Sequence, residues 1–174
     1  MSRRVLFAGM GIALAALCAP IVMRMSAHES VFVVYNPTDS VPRGWYRIIP
    51  AHSLPVGSIV LVTLPVDVST LAAQRGYLPA GIPLLKRVGA MAPQRVCVDG
   101  ASVRIDDVTV AAVTRADGHG RPLSAWSQCR RLAHGELFLL SNTNPASFDS
   151  RYFGPVRAPD VIGSAKPIWT WSTP

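Results

Sequence analysis

The sequence predicts an all-β domain with a small hairpin insert, preceded by one N-terminal transmembrane helix. Three observations carry that expectation. Short runs rich in Val, Ile, Phe, Tyr and Trp recur from residue 31 onward, separated by Gly, Pro or Asp at roughly eight- to twelve-residue spacing. Helical periodicity is confined to one stretch near residues 68–76. Ahead of both, residues 5–23 form a run of 19 uncharged positions.

Taken in order, the first element is that run. As a helix, 19 residues span about 28 Å, close to the hydrocarbon thickness of a bilayer. Arg3 and Arg4 precede it and Arg24 follows, which by the positive-inside rule places the N-terminus in the cytoplasm and exports the body. The expected division is 1–27 as cytoplasmic tip and anchor and 28–174 as the periplasmic domain. A cleaved signal peptide is the competing reading. Met25, at −3 from a cut after Ala27, is a poor match to small-x-small, and Leu17 before Cys18 is too large for a lipoprotein box.

The expected strands follow at residues 31–35, 45–49 and 58–64, the last opened by Gly57 and closed by Pro65. A short helix is expected over about 68–76, capped by Asp67 or Ser69 and ended by Gly76. Residues 84–88 lie between Pro83 and Gly89 as a fourth strand. Residues 95–98 are followed by an Asp99-Gly100 turn, and 102–105 and 108–111 form a hairpin around Asp106-Asp107. Residues 115–130 read as a polar surface loop, so 95–133 is expected to be the hairpin-rich insert. Strands at 136–140 and 168–171 complete the set.

Composition narrows the function. At 49% hydrophobic and 16% charged the chain is too apolar for disorder. The net charge of +7 comes from 17 basic against 10 acidic residues. The arginines are scattered, which argues against a nucleic-acid stripe and favours contact with lipid headgroups. No HExxH, CxxC, P-loop or dinucleotide pattern is present, so neither metal nor cofactor is expected. Cys97 and Cys129 either pair in the oxidising compartment or remain two buried thiols.

Three segments carry candidate chemistry. Lys86 and Lys166 are the two lysines in a chain with fifteen arginines. In a strand, Lys86 shares a face with Leu84 and Val88. An apolar surrounding lowers the amine pKa, and a neutral amine can take a proton from a serine hydroxyl, which Arg87 cannot. A lysine snorkelling from a strand edge is the alternative. The second segment, 36–46, is a rigid loop with Pro37, Pro42 and Gly44. It can present the Ser40 hydroxyl beside free N–H groups, with Thr38 as a further donor to an oxyanion. An ordinary Thr/Ser turn is the alternative there. In the third, 147–156, Ser147 can hydrogen-bond an amine, and Asp149 and Arg151 can form an ion pair.

Together these segments resemble the type I signal peptidase (S26) family. The order matches: anchor, serine loop, lysine strand, then S-x-D-S-R-x-x-G at Ser147, Asp149, Ser150, Arg151 and Gly154. The T-x-S-x-P-x-G form at Thr38, Ser40, Pro42 and Gly44 is closer to the conjugative-transfer TraF-type branch than to leader peptidases, which usually carry S-x-S-M-x-P-T. Leader peptidases also carry G-D-N-R before the final box, where this chain has Leu140-Ser141-Asn142-Thr143-Asn144-Pro145.

The resemblance implies a signal-peptidase-like β domain and a Ser40 nucleophile with Lys86 as its base. It also implies that Thr38 and the Ser40 N–H form the oxyanion hole, that Ser147 orients the lysine, and that Asp149 and Arg151 brace the site. The expected substrate is a pilin precursor or another exported protein of a conjugative transfer system, with water or the substrate's own amino terminus resolving the acyl-enzyme. A general leader peptidase and a non-catalytic anchored scaffold are the alternatives.

Overall fold

The structure, a computed structural model, describes residues 31–171. The expected anchor at 5–23, Cys18 and the 24–28 exit lie outside the described residues. Among the described residues no helix is long and apolar enough to cross a membrane.

In chain order the elements are β1 (Phe32–Asn36), β2 (Arg43–Ile49), β3 (Ile59–Val62), α1 (Val66–Gln74), β4 (Leu84–Met91), β5 (Arg95–Val98), β6 (Ser102–Ile105), β7 (Val108–Ala112), β8 (Cys129–Arg131), β9 (Glu136–Leu140), α2 (Ser150–Phe153), β10 (Val156–Arg157) and β11 (Val161–Trp171). They form a seven-stranded sheet ordered β1-β2-β11-β3-β4-β9-β10 and a four-stranded sheet ordered β7-β6-β5-β8. All the strand pairings are antiparallel. The fold is mostly β, as the alternating runs predict.

Alternation decides which way each strand faces. In β2, Tyr46 and Ile48 are buried while Trp45 and Arg47 are exposed. Tyr46 and Ile48 join Val41, Leu61, Leu85 and Ala165 in one core cluster. Val60, Val62, Val88, Leu137, Leu139 and Val156 form another. β3 and β4 feed both clusters, so these strands are covered on two sides. A third cluster joins Phe138 and Leu140 to Val96, Val98, Val103 and Ile105 of the small sheet. At Gly44, φ is +145°, and a Cβ would stand 2.2 Å from the Trp169 carbonyl oxygen. Only glycine lets β2 pass β11 there.

Several elements differ from the sequence expectation. α1 begins two residues early, on Pro65, with no side-chain cap. Asp67 instead lies in the first turn, where a carboxylate suits the helix dipole. β4 continues three residues beyond Val88, because Gly89 sits at a register shift against β9 rather than ending the strand. β11 starts at Val161, seven residues earlier than expected. Gly163 and Pro167 interrupt its pattern but fall at register irregularities that accommodate them. Within the segment read as loop, β8 pairs with β5 and sets Cys129 directly opposite Cys97.

Candidate active site

The loop at 37–42 joins β1 to β2 and is organised by Asn36, which is buried at the end of β1. Asn36 Nδ2 donates to the carbonyls of Thr38 (2.9 Å), Val41 (3.1 Å) and Pro42 (3.2 Å). Its Oδ1 accepts from the Thr38 N–H (3.1 Å) and the Thr38 hydroxyl (2.8 Å). One amide side chain thus supplies five bonds to a loop whose prolines cannot pair with a neighbouring strand. Arg43 closes on Asp39 through Nε and a second nitrogen at 2.8 Å. The Thr143 hydroxyl donates to the Asp39 carbonyl and ties this loop to the one at 141–147.

Lys86 reaches Ser40 from the sheet. It sits in β4 opposite Val60 of β3 and is 1% exposed. Its Nζ donates to Ser40 Oγ and to Ser147 Oγ, whose oxygens lie 3.2 Å apart. Burial among apolar side chains lowers the Lys86 pKa to about 8, with Asp149 pulling it up and Arg151 pushing it down. The amine therefore exchanges its proton near neutrality, beside two hydroxyls.

Ser147 is held by the buried pair below it. Asp149 accepts from the Ser141 N–H (3.0 Å) and from Arg151 Nε and a terminal nitrogen (both 2.8 Å). Arg151 also donates to the carbonyls of Ala112 (3.0 Å), Pro145 (2.8 Å) and Ser147 (3.1 Å). Asp149 and Arg151 are 0% and 1% exposed. Burial alone would lower the Arg151 pKa, but the Asp149 carboxylate raises it, so the guanidinium stays charged. The pair thus fixes the backbone at Pro145 and at Ser147 itself. Directly after it, Gly154 at φ +79° passes Trp126, whose indole nitrogen would lie 2.5 Å from an added Cβ.

Ser40, Lys86 and Ser147 line a cleft of about 610 Å³. Its walls are largely apolar, from Leu64, Leu84, Leu85 and Ile82, with Thr38 beside Ser40. Such a groove suits an extended polypeptide with apolar side chains. The segments at 77–83 and 117–119 also line it. Asp117 ties these together, accepting from the Tyr77 hydroxyl (2.5 Å) and Arg121 Nε (2.7 Å). Its burial opposes ionisation, but these donors and the neighbouring N–H groups hold its carboxyl far below the usual range.

The structure therefore brings Ser40, Lys86 and Ser147 into contact, with Asp149 and Arg151 directly behind. Thr38 borders the cleft, but its hydroxyl hydrogen points to Asn36 and must turn to reach an oxyanion. Cys97 and Cys129 are joined in a disulfide within the small sheet, and neither lines the cleft. Among the described residues no cluster of three or more His, Cys, Asp or Glu is arranged to hold a metal. Sequence reasoning missed Asn36, Thr143 and Asp117. The Asn36-Pro37-Thr38 order was a usable signal for the first, since Asn side chains bond the backbone two residues on.

Comparison with known proteins identifies a family. The family model described as "Signal peptidase, peptidase S26" matches residues 5–171. A probable conjugal transfer protein TraF of Sinorhizobium fredii is 36% identical, covering 79% of this chain and 77% of its own. A plasmid transfer protein TraF of Escherichia coli is 34% identical, over 78% and 82%. A conjugal transfer protein TraF of Agrobacterium fabrum is 32% identical over 98% and 99%. The crystal structure of a signal peptidase I from Enterococcus faecalis aligns with 66% of this chain and 98% of its own, at 20% identity and a TM-score of 0.39, a likeness too loose to carry weight. On the family match and these relatives, this chain belongs to the peptidase S26 signal peptidase family, in its conjugal-transfer TraF branch.

Proposed function

We propose that the chain is a membrane-anchored serine endopeptidase of the periplasmic face, with Ser40 as nucleophile and Lys86 as general base. One observation carries the reading: a lysine 1% exposed contacts Ser40 and Ser147 in the lining of a largely apolar cleft. A buried ammonium is costly, which favours the neutral amine, and such perturbed groups cluster at functional sites. With Ser147 accepting one amine hydrogen, the lone pair of neutral Lys86 faces the Ser40 O–H.

The steps follow from that placement. Lys86 Nζ takes the Ser40 proton as Oγ bonds to the scissile carbonyl carbon. The oxyanion is received by the Ser40 N–H and by the Thr38 hydroxyl once it leaves Asn36. Lys86 then gives its proton to the departing amine, leaving an ester on Ser40. Water, or the amino terminus of the substrate itself, attacks that ester while Lys86 again takes the proton. The first route gives a linear product and the second a cyclic one.

The TraF relatives point to conjugative transfer, so the substrate proposed is a pilin precursor or another exported protein of that apparatus. Membrane attachment through residues 5–23 is supported by an exposed sheet face as well. Tyr35, Trp45, Trp169 and Trp171 are 44–71% exposed on β1, β2 and β11. Arg47 and Lys166 pair beside them. Aromatic rings with cations are what a headgroup region accepts.

The test co-expresses a pilin precursor from a conjugative system with wild type, Ser40→Ala or Lys86→Arg, and weighs the product by mass spectrometry. Wild type should process it and neither variant should. A mass one water below the linear peptide identifies cyclisation. Full processing by either variant refutes the pair. A wild type that never processes, though folded, points to a scaffold.

A further inference from the structure

A second cavity of about 310 Å³ lies against the first. Leu123 and Phe148 line both, so these two side chains form the partition. Its other side is α1. Asp67, Leu71 and Arg75, spaced by four, share one helical face and turn toward it. Its floor is aromatic. Phe148 stacks on Tyr152 with centroids 5.9 Å apart and meets Phe153 edge-on at 5.5 Å, distances at which rings attract. The size is near the lower end for ligand pockets, roughly 300–1,000 Å³, and fits one large side chain.

The charges at its mouth are unequal in use. Arg75 is already engaged by Tyr77 and Asp117. Asp67 is exposed, and among the described residues no cation pairs with it. The cavity thus offers an aromatic floor and one acidic group. It adjoins the cleft at Leu123 and Phe148, which line both.

We propose that this cavity is a distal subsite of the peptidase, taking an aromatic side chain of the substrate that neighbours a basic residue. The substrate part rests on the peptidase reading; the binding part does not. Two arms separate them. In the first, the amide spectrum of isotope-labelled full-length protein is titrated with N-acetyl-Phe-Arg-Ala-amide and with the corresponding Phe-Glu peptide. The Arg peptide should bind at least about tenfold tighter, shifting the signals of residues 67–75 and 152–153. Asp67→Lys should reverse the preference, and its spectrum reports its own folding. Equal affinities, or an unreversed preference, would overturn the site. In the second arm, Leu71→Glu should raise KM for a pilin precursor severalfold with kcat unchanged, and leave cleavage of a short peptide spanning only the scissile bond unaffected. An unchanged KM for the precursor, or an equal loss on the short peptide, would overturn its role as a substrate subsite.

Discussion

Replacing Lys86 by Met should stabilise the fold at neutral pH while abolishing activity. The fall of the Lys86 pKa from 10.5 to about 8 means that the charged amine is disfavoured in the native state. At 1.36 kcal/mol per pH unit this is about 3 kcal/mol. The sign is fixed by proton uptake. Between about pH 8 and 10.5 the unfolded chain holds this proton and the folded one does not, so wild-type stability climbs with pH. Below about pH 8 both states hold it, and the full cost is present. Methionine has similar length and no charge. It forfeits the two hydrogen bonds to Ser40 and Ser147, about 1 kcal/mol each, but those hydroxyls still lie 3.2 Å apart and can pair, which recovers one of them. Urea unfolding of the full-length proteins at pH 7 should therefore show Lys86→Met about 2 kcal/mol more stable. At pH 10.5 that difference should vanish or change sign. A variant less stable at pH 7, or a difference independent of pH, would refute the account of Lys86 as a lysine held against its desolvation cost for function.

The remaining predictions concern what surrounds that amine. Ser147→Ala removes the acceptor that orients Lys86, so steady-state kinetics should show kcat lower by about 100-fold or more with KM little changed. Arg151→Met leaves the Asp149 carboxylate buried and unpaired, and urea unfolding should show a loss of about 3–5 kcal/mol. The double variant Asp149→Leu/Arg151→Met should recover much of it. Asn36→Ala frees the serine loop; circular dichroism should stay native while kcat falls at least about tenfold, since small misplacements of a nucleophile are costly.

What the chain disclosed in advance follows from which interactions are local. Strands such as Glu136–Leu140 and Ser102–Ile105 were legible because alternation and bounding turns are written in neighbouring residues. Cys129–Arg131 was not, because a short, arginine-bearing edge strand shows no apolar alternation and takes its conformation from β5. Gly89 looked like a stop, whereas tertiary pairing turned it into a register shift, and β11 runs through Gly163 and Pro167 at similar irregularities.

The site divides in the same way. Ser40, Lys86 and the 147–154 segment stood out through residue type, order and resemblance. Their contact across the β1–β2 loop, β4 and the loop before α2 is a long-range fact that spacing does not encode. Asn36 and Asp117 were overlooked because each acts on backbone and partners that only the folded chain brings near. Thr38 shows the limit from the other direction: its type suits an oxyanion donor, yet its hydroxyl is turned to Asn36.

The pairing of Ser40 with Lys86 is tested most directly by the rate of Ser40 acylation as a function of pH, followed in single turnovers with the purified full-length protein. Only neutral Lys86 accepts the proton, and at pH 6 about 1% of it is neutral for a pKa of about 8. The rate should therefore rise about tenfold per pH unit through the acid limb, reach half its maximum near pH 8 and then level off. A rate flat from pH 6 to 9, or acylation persisting in Lys86→Met, would contradict it.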